Sequence, residues 1–409
     1  MFCRRWKLSI ILATFMVMAG FSVHADGDFA RWIEDFYPKA KEAGIESEVF
    51  WKAFEPVSSP DVTVLEKAGY QPEFKTRIWD YVDGRVNSLS IEQGQRMSRY
   101  HRNTLDLVEK QFGVSRFILL AIWSVESNYG AVLDRPERLH YVPAALATLA
   151  YGDVRRRKFA ETQLIAALKI FQHKDVGVDG FYGSWAGAMG HTQFIPTSYL
   201  AYGVDMDKDG RRDVWNSVPD ALATAANLLK ENGWRTGKTW GYEVVLPNLP
   251  EAALQQYEGQ TRLLSEWQQL GFVRPGGKRF VRSGEKAVLK MVAGTEGPGF
   301  LMMRNFFVLK RYNNADAYAL AVGLLGDRIA GVGELVQPWP RPPGSLTFEQ
   351  QLTLQRALQK GGWYSGKIDG YIGDASRAAI REFQLRNGMA PTGIASEKLL
   401  ESLLDRLPE

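Results

Sequence analysis

Cysteine is nearly absent: among 409 residues there is only Cys3. A fold stapled by disulfides is thereby excluded, as is a thiolate metal centre. Histidine is scarce too, at five residues. There is no HExxH pattern and no Cys/His cluster, so no catalytic metal or other catalytic cofactor is expected. The glycine-rich stretches do not follow a strand as a phosphate loop must, and no serine sits in a nucleophile elbow. Beyond the N-terminus no apolar run is long enough to span a membrane. Internal repeats and low-complexity tracts are also missing. Charge of either sign is not in excess, with 50 Lys and Arg against 46 Asp and Glu.

The first residues read as a secretory signal, 1–25. Arg4, Arg5 and Lys7 form a positive start, 8–20 is apolar but short, and Val23-His24-Ala25 resembles a cleavage site. An uncleaved anchor is the alternative, and the shortness of the apolar run argues against it. Loss of those three cations takes the formal charge from +4 to +1. The basic balance is then no argument for nucleic acid. Cys3 precedes the apolar run, the wrong place for a lipoprotein cysteine. The expectation is a soluble periplasmic protein without a membrane span after cleavage.

What is present is concentrated at 117–130, FILLAIWSVESNYG. A stretch apolar on every side reads as a buried helix. Ser115 can cap its start, and Asn128-Tyr129-Gly130 can stop it through a left-handed turn. Glu126 then sits at the end of an apolar helix, where desolvation raises a carboxyl pKa. That is the general-acid arrangement of glycosidic bond cleavage. The bland alternative is a paired or capped helix-end glutamate.

Two further stretches carry chemistry. Residues 182–199 place Ser184, His191 and Gln193 among Gly183, Gly187 and Gly190. This suits hydrogen bonding to sugar hydroxyls and acetamides, or else tight helix packing. Residues 205–213 put Asp205, Asp207, Asp209 and Asp213 at positions 1, 3, 5 and 9 of a calcium hand, with Gly210 at 6. Arg211 at position 7 would offer its carbonyl. Position 12 is Asn216 rather than Glu, and Asp220 nearby is the candidate replacement. A structural Ca2+ or Na+ is one reading, and a solvated acidic turn is the other.

The fold is expected to be mainly α. Helices are predicted at 29–43 (with Pro38 kinking or breaking it), 47–54, 91–112, 142–151, 158–173 and 219–232, with a turn-rich passage at 56–72. Phe74, Trp79 and Tyr81 cluster, with core packing as the simplest reason. A small mixed α/β subdomain is inserted at about 240–300. Its β-prone runs are 242–246, 287–292 and 300–309, with a short helix at 263–270. A helix ending near 329 closes a catalytic region of 26–335. A proline-rich linker, 336–344, leads to a compact unit at 345–409 with helices at 348–360, 375–386 and a closing helix to 404.

Taken in order, Val125-Glu126-Ser-Asn-Tyr-Gly130, Ala186-Gly-Ala-Met-Gly190, Gln193-Phe-Ile-Pro-Thr-Ser198 and the Asp205–Asp213 loop resemble the membrane-bound lytic murein transglycosylase B family. The unit with Leu354-Gln-Arg-Ala-Leu358, Tyr364-Ser-Gly-Lys-Ile-Asp-Gly370 and Ile380-Arg-Glu-Phe-Gln384 is similar to the small three-helix peptidoglycan-binding domain. The resemblance implies a lysozyme-like helical core. It implies non-hydrolytic cleavage of the MurNAc–GlcNAc bond to a 1,6-anhydro product, with Glu126 as acid and then base. Ser184 and Gln193 correspond to sugar-binding positions, Tyr312 and Asn313 to a cleft Tyr-Asn pair, and Tyr81 to a further cleft tyrosine. The acidic loop corresponds to the family's calcium-hand-like site. His191 stands at a variable position and receives no role. The implied partners are peptidoglycan glycan strands, with cell-wall synthesis proteins as further candidates. The alternatives are a hydrolytic muramidase, for which Asp179 or Asp134 would supply the second carboxylate, and a non-catalytic wall-binding protein.

Overall fold

The computed structural model describes residues 22–69 and 76–407. The signal segment lies almost wholly outside the described residues, as does Phe74 of the aromatic cluster. The architecture is a helical body, a four-stranded sheet inserted into it, and three C-terminal helices.

The body is assembled around Arg116–Ser127. Its Leu119, Leu120, Ala121 and Ile122 are fully buried, as an all-round apolar helix requires. The helices Asp316–Ile329 and Ser88–Tyr100 pack directly on it. Ser115 accepts from Phe117 N at 3.3 Å to cap its start. At its end Asn128, Tyr129 and Gly130 all take positive φ, and Tyr129 N returns to Trp123 O. The chain therefore stops and turns outward one residue after Glu126.

Four local expectations change in three dimensions. Ser22–Glu42 is one helix straight through Pro38, because Phe29, Ile33, Phe36 and Ala40 bury a single face whose packing outweighs the lost backbone bond. The turn-rich passage contains a helix, Val62–Gly69, held by Val64 and Ala68 against Ala145 and Leu149. The long run 91–112 is two helices, Ser88–Tyr100 and Arg102–Phe112, broken at His101, whose ring meets Trp123 at 5.3 Å. The β-prone run 300–309 is a strand, Gly299–Met302, followed by a helix, Arg304–Tyr312.

The sheet is antiparallel, in the order Gly241–Val244, Gly299–Met302, Lys286–Lys290, Thr261–Leu263. One face buries Ala287, Leu289 and Leu301 against Leu264 and Trp267. In the C-terminal helices Gln355 is fully buried and takes both Asp369 N and Gly370 N on its carbonyl. A single amide thus fixes the long loop between Phe348–Lys360 and Asp374–Arg386.

The proline-rich connection lies against the body. Glu243 accepts from Val336 N at 3.0 Å and from Gln337 N at 2.8 Å. Trp339 packs on Phe300, and Arg341 pairs with Asp83. Beyond it, Glu349 receives Ser88 N and Ser88 Oγ at 2.7 and 2.9 Å. Hydrogen bonds to a charged acceptor contribute about 1.5–3 kcal/mol each when formed. Glu243→Ala is therefore expected to loosen the connection while leaving the body folded. Limited proteolysis should show new cleavage between residues 331 and 345; cleavage unchanged from wild type would contradict this role for Glu243.

Candidate functional site

Glu126 is half-buried, and its Oε1 accepts from Tyr318 Oη at 2.6 Å. Burial raises its pKa from 4.5 to about 7, although the Tyr318 hydroxyl and the charge of Arg85 pull the other way. Desolvation wins because the carboxyl stands on an apolar helix and gains only one strong donor. Near neutrality the group is thus shared between acid and carboxylate, and both protonation states are within reach. Tyr318 itself is pushed well above the usual tyrosine range, first by burial and next by Glu126. It stays protonated and keeps donating.

A row of aromatics connects this acid to the glycine loop. Tyr312 stacks on Tyr318, with centroids 6.2 Å apart and planes 10° from parallel. Its hydroxyl donates to Thr192 O at 2.5 Å, and Phe194 meets its ring edge-on. The loop is also latched to the Glu126 helix. Ser127 Oγ, one residue on from Glu126, donates to His191 O at 2.5 Å and accepts from Gly130 N at 2.9 Å. Trp123 Nε1 donates to His191 Nδ1 at 3.2 Å. Burial holds His191 below its usual pKa, which suits a neutral ring accepting at Nδ1. His191, without a role on sequence grounds, is thus a positioning residue.

Glycine is required at two points of this latch. A Cβ on Gly130 would lie 2.5 Å from the His191 ring, and one on Gly190 would lie 2.3 Å from Val214 O; both take positive φ. Ser184 Oγ accepts from Ala186 N and Ala188 N, so its hydroxyl proton remains for an outside acceptor. Gln193, at φ 50, returns Nε2 to Gly190 O at 2.8 Å, leaving its carbonyl for an outside donor. Tyr81 carries Arg85 over its ring at 4.5 Å and acts electrostatically on Tyr318. Asn313 is exposed at the end of the Tyr312 helix, and among the described residues its side chain has no hydrogen-bond partner. Asp134 and Asp179 are both exposed, and the groups acting on Glu126 are Tyr318 and Arg85.

In the acidic loop, oxygens of Asp205, Asp207 and Asp209 lie within 4.8 Å of one another. Asp205 Oδ1 is buried with no hydrogen-bond partner among the described residues, while its Oδ2 takes Gly210 N at 3.0 Å. An orphaned carboxylate oxygen on a member of an acidic cluster fits a cation. Arg211 pairs with Asp209 at 3.3 Å, and Asp213 is occupied by Trp215 N and by Asn216. Asp220 is not drawn into the cluster. Fully buried, it accepts from Met206 N at 2.7 Å and Asp213 N at 2.8 Å, so it braces the loop from beneath. His191 N bonds Val214 O at 2.9 Å, which ties the acidic loop to the glycine loop.

Tyr318 is a side chain of the candidate site that sequence reasoning missed. It lies 192 positions from Glu126. The available signal was that it is the one aromatic in its helix, DAYALAVGLLGDRI.

A carboxyl whose pKa is higher in the folded than in the unfolded chain stabilises the fold below the unfolded value. That stability is lost as pH rises through the folded value, here between 4.5 and about 7. Glu126→Gln removes the dependence. Denaturant titrations should therefore show the variant gaining on wild type by roughly 1–3 kcal/mol from pH 5 to pH 8. An equal difference at both pH values would contradict the raised pKa.

Residues 28–327 match the family model described as transglycosylase SLT domain, and residues 349–403 match the putative peptidoglycan binding domain. Membrane-bound lytic murein transglycosylase B of Escherichia coli K12 is 29% identical over 245 residues, 59% of this chain and 64% of that protein. The chain thus spans a little under two thirds of that relative's length. SltB3 of Pseudomonas aeruginosa, solved in complex with NAG-NAM-pentapeptide, is 42% identical; the match covers 92% of this chain and 99% of that one, with a TM-score of 0.72. The Escherichia coli lytic transglycosylase Slt35, solved in complex with calcium, shares the fold at 24% identity, 75% and 93% coverage and a TM-score of 0.60. With its motifs, its mainly helical body and its C-terminal unit, the chain belongs to the lytic murein transglycosylase family and carries a C-terminal peptidoglycan-binding domain.

Proposed function

We propose that the protein is a peptidoglycan lytic transglycosylase that cleaves the β-1,4 bond from MurNAc to GlcNAc without water. The observation that carries this reading is Glu126, poised at a pKa of about 7 with a tyrosine rather than a second carboxylate beside it. Paired-carboxylate hydrolysis needs two facing acids. Asp134 and Asp179, the candidates for a second one, are exposed, which disfavours the muramidase alternative.

In the proposed reaction Glu126 gives its proton to the glycosidic oxygen as the C1–O bond breaks. The muramic C6 hydroxyl then attacks C1 and returns its proton to the Glu126 carboxylate, closing the 1,6-anhydro ring. The substrate's own acetamide stabilises the positive charge at C1. Tyr318 orients Glu126 and steadies its carboxylate in the interval. Ser184, Gln193, Tyr312, Asn313 and Tyr81 line the sugar subsites. No cofactor enters the chemistry. Asp205, Asp207 and Asp209 would hold a structural Ca2+, which braces the glycine loop through Val214.

The division proposed is a signal at 1–25, a catalytic region at 26–335, a linker at 336–344 and a wall-binding domain at 345–409. Action is placed in the periplasm. No helix among the described residues is long and apolar enough to cross a membrane.

Mass spectrometry of fragments released from purified peptidoglycan should show products lighter by one water than hydrolytic ones. Glu126→Gln should bind the wall normally and lose roughly 10²–10⁴-fold in rate, the usual share of a general acid. Free reducing ends, or full turnover by the variant, would overturn the assignment. For the acidic loop, Ca2+ at about 100 times its Kd should add about 2.7 kcal/mol to unfolding stability. The gain should vanish in Asp205→Asn; an equal gain in both proteins would refute the site.

A further inference from the structure

The four-stranded sheet has a second face that its own helices do not cover. Lys286 and Val288 alternate with the buried Ala287 and Leu289 and so point away from them. Register puts Thr261, Val288 and Met302 in one row across three strands. That row floors a cavity of about 540 Å³, walled on the other side by residues 235–239 and the start of the Arg304–Tyr312 helix.

The wall is rigidly built. Asn305, almost fully buried, accepts from Arg235 N at 2.8 Å and donates to Arg235 O and Lys238 O at 3.0 and 2.8 Å. The lining charges are unbalanced: Arg235, Lys238, Lys286 and Arg304 face a single carboxylate, Glu285. Glu285 is already engaged by Lys238 and Arg282. Arg304 Nε donates to the Gly233 carbonyl at 3.1 Å. Among the described residues, Arg235, Lys286 and Arg304 thus have no carboxylate partner. Between them lie Val288, Met302 and Met303, with Phe307 at the rim, 37% exposed. One sign of charge above an apolar floor concentrates the field on an incoming anion.

The same helix leads to the cleft. From Arg304 to Tyr312 is about 12 Å at roughly 1.5 Å per residue. An extended peptide spans at most about 3.3–3.6 Å per residue, so four or five residues cover that distance.

We propose that this cavity is a second binding site, and that it takes an acidic peptide: the carboxylate-bearing stem of a muramic acid seated in the Glu126 cleft. The cations receive the stem's carboxylates, and the apolar floor receives its methyl side chains. The inserted sheet would then select strands that still carry peptides. The inference rests on the peptidoglycan reading above, and it adds to the sugar subsites a site for what hangs from the sugar.

The test uses the full chain and two soluble probes: a sugar-free stem pentapeptide and inorganic phosphate. In calorimetric titrations the pentapeptide should bind, more weakly at high salt, and phosphate should not displace it at equal concentration. The double variant Arg235→Gln/Lys286→Gln alters two exposed side chains. It should lose up to about tenfold in peptide affinity, as two exposed ion pairs allow. Its KM should rise by a similar factor on peptide-bearing strands and stay unchanged on strands stripped of peptide. Peptide affinity equal to wild type, phosphate binding as tightly as peptide, or an equal loss on both strand types would each overturn the proposal. Anhydro products without measurable peptide binding would sink the second site alone. Peptide binding that depends on these two cations, without anhydro products, would sink the catalytic reading and leave the site standing.

Discussion

The desolvation of one carboxyl group governs the rest of this structure. Glu126 gains its raised pKa because Leu119, Leu120, Ala121 and Ile122 bury the helix beneath it. A charged form in that place is costly, and a neutral form is available to give a proton. The cost is limited, however, and the carboxylate form stays accessible. Tyr318 supplies one directed hydrogen bond to the ionised form, and Arg85 adds a favourable positive charge. The balance lands near neutrality, where both protonation states are within reach.

Holding that balance requires rigid surroundings, and the latch of the glycine loop provides them. Ser127 and Trp123, on the helix that carries Glu126, hold His191. Tyr312 holds the neighbouring Thr192. The loop that presents Ser184 and Gln193 is thus referenced to the acid itself. The acidic loop is referenced to it in turn through the His191–Val214 bond. An ion at Asp205 would act at a distance, by stiffening this chain of contacts.

What could be read from the sequence was local. The buried helix, its serine cap and its left-handed stop after Glu126 all follow from fourteen neighbouring positions, 117–130. The carboxylate spacing of the acidic loop is equally local. What escaped depends on tertiary partners. Tyr318 acquires its meaning only when a distant helix packs on Arg116–Ser127. Asp220 resembles a spare ligand in one dimension, but in three it is consumed by backbone amides. Pro38 and His101 show the same override in opposite senses. A buried face carries the helix through a proline, and a ring drawn to Trp123 breaks a helix whose pattern was continuous.

The protonation state of Glu126 is measured directly by an NMR titration of the side-chain carboxyl carbon. The resonance would be assigned by its disappearance in Glu126→Gln. A midpoint near 7 is expected, moving higher in Tyr318→Phe, where the donor that favours the carboxylate is gone. A midpoint near 4.5, or one indifferent to Tyr318, would contradict the account.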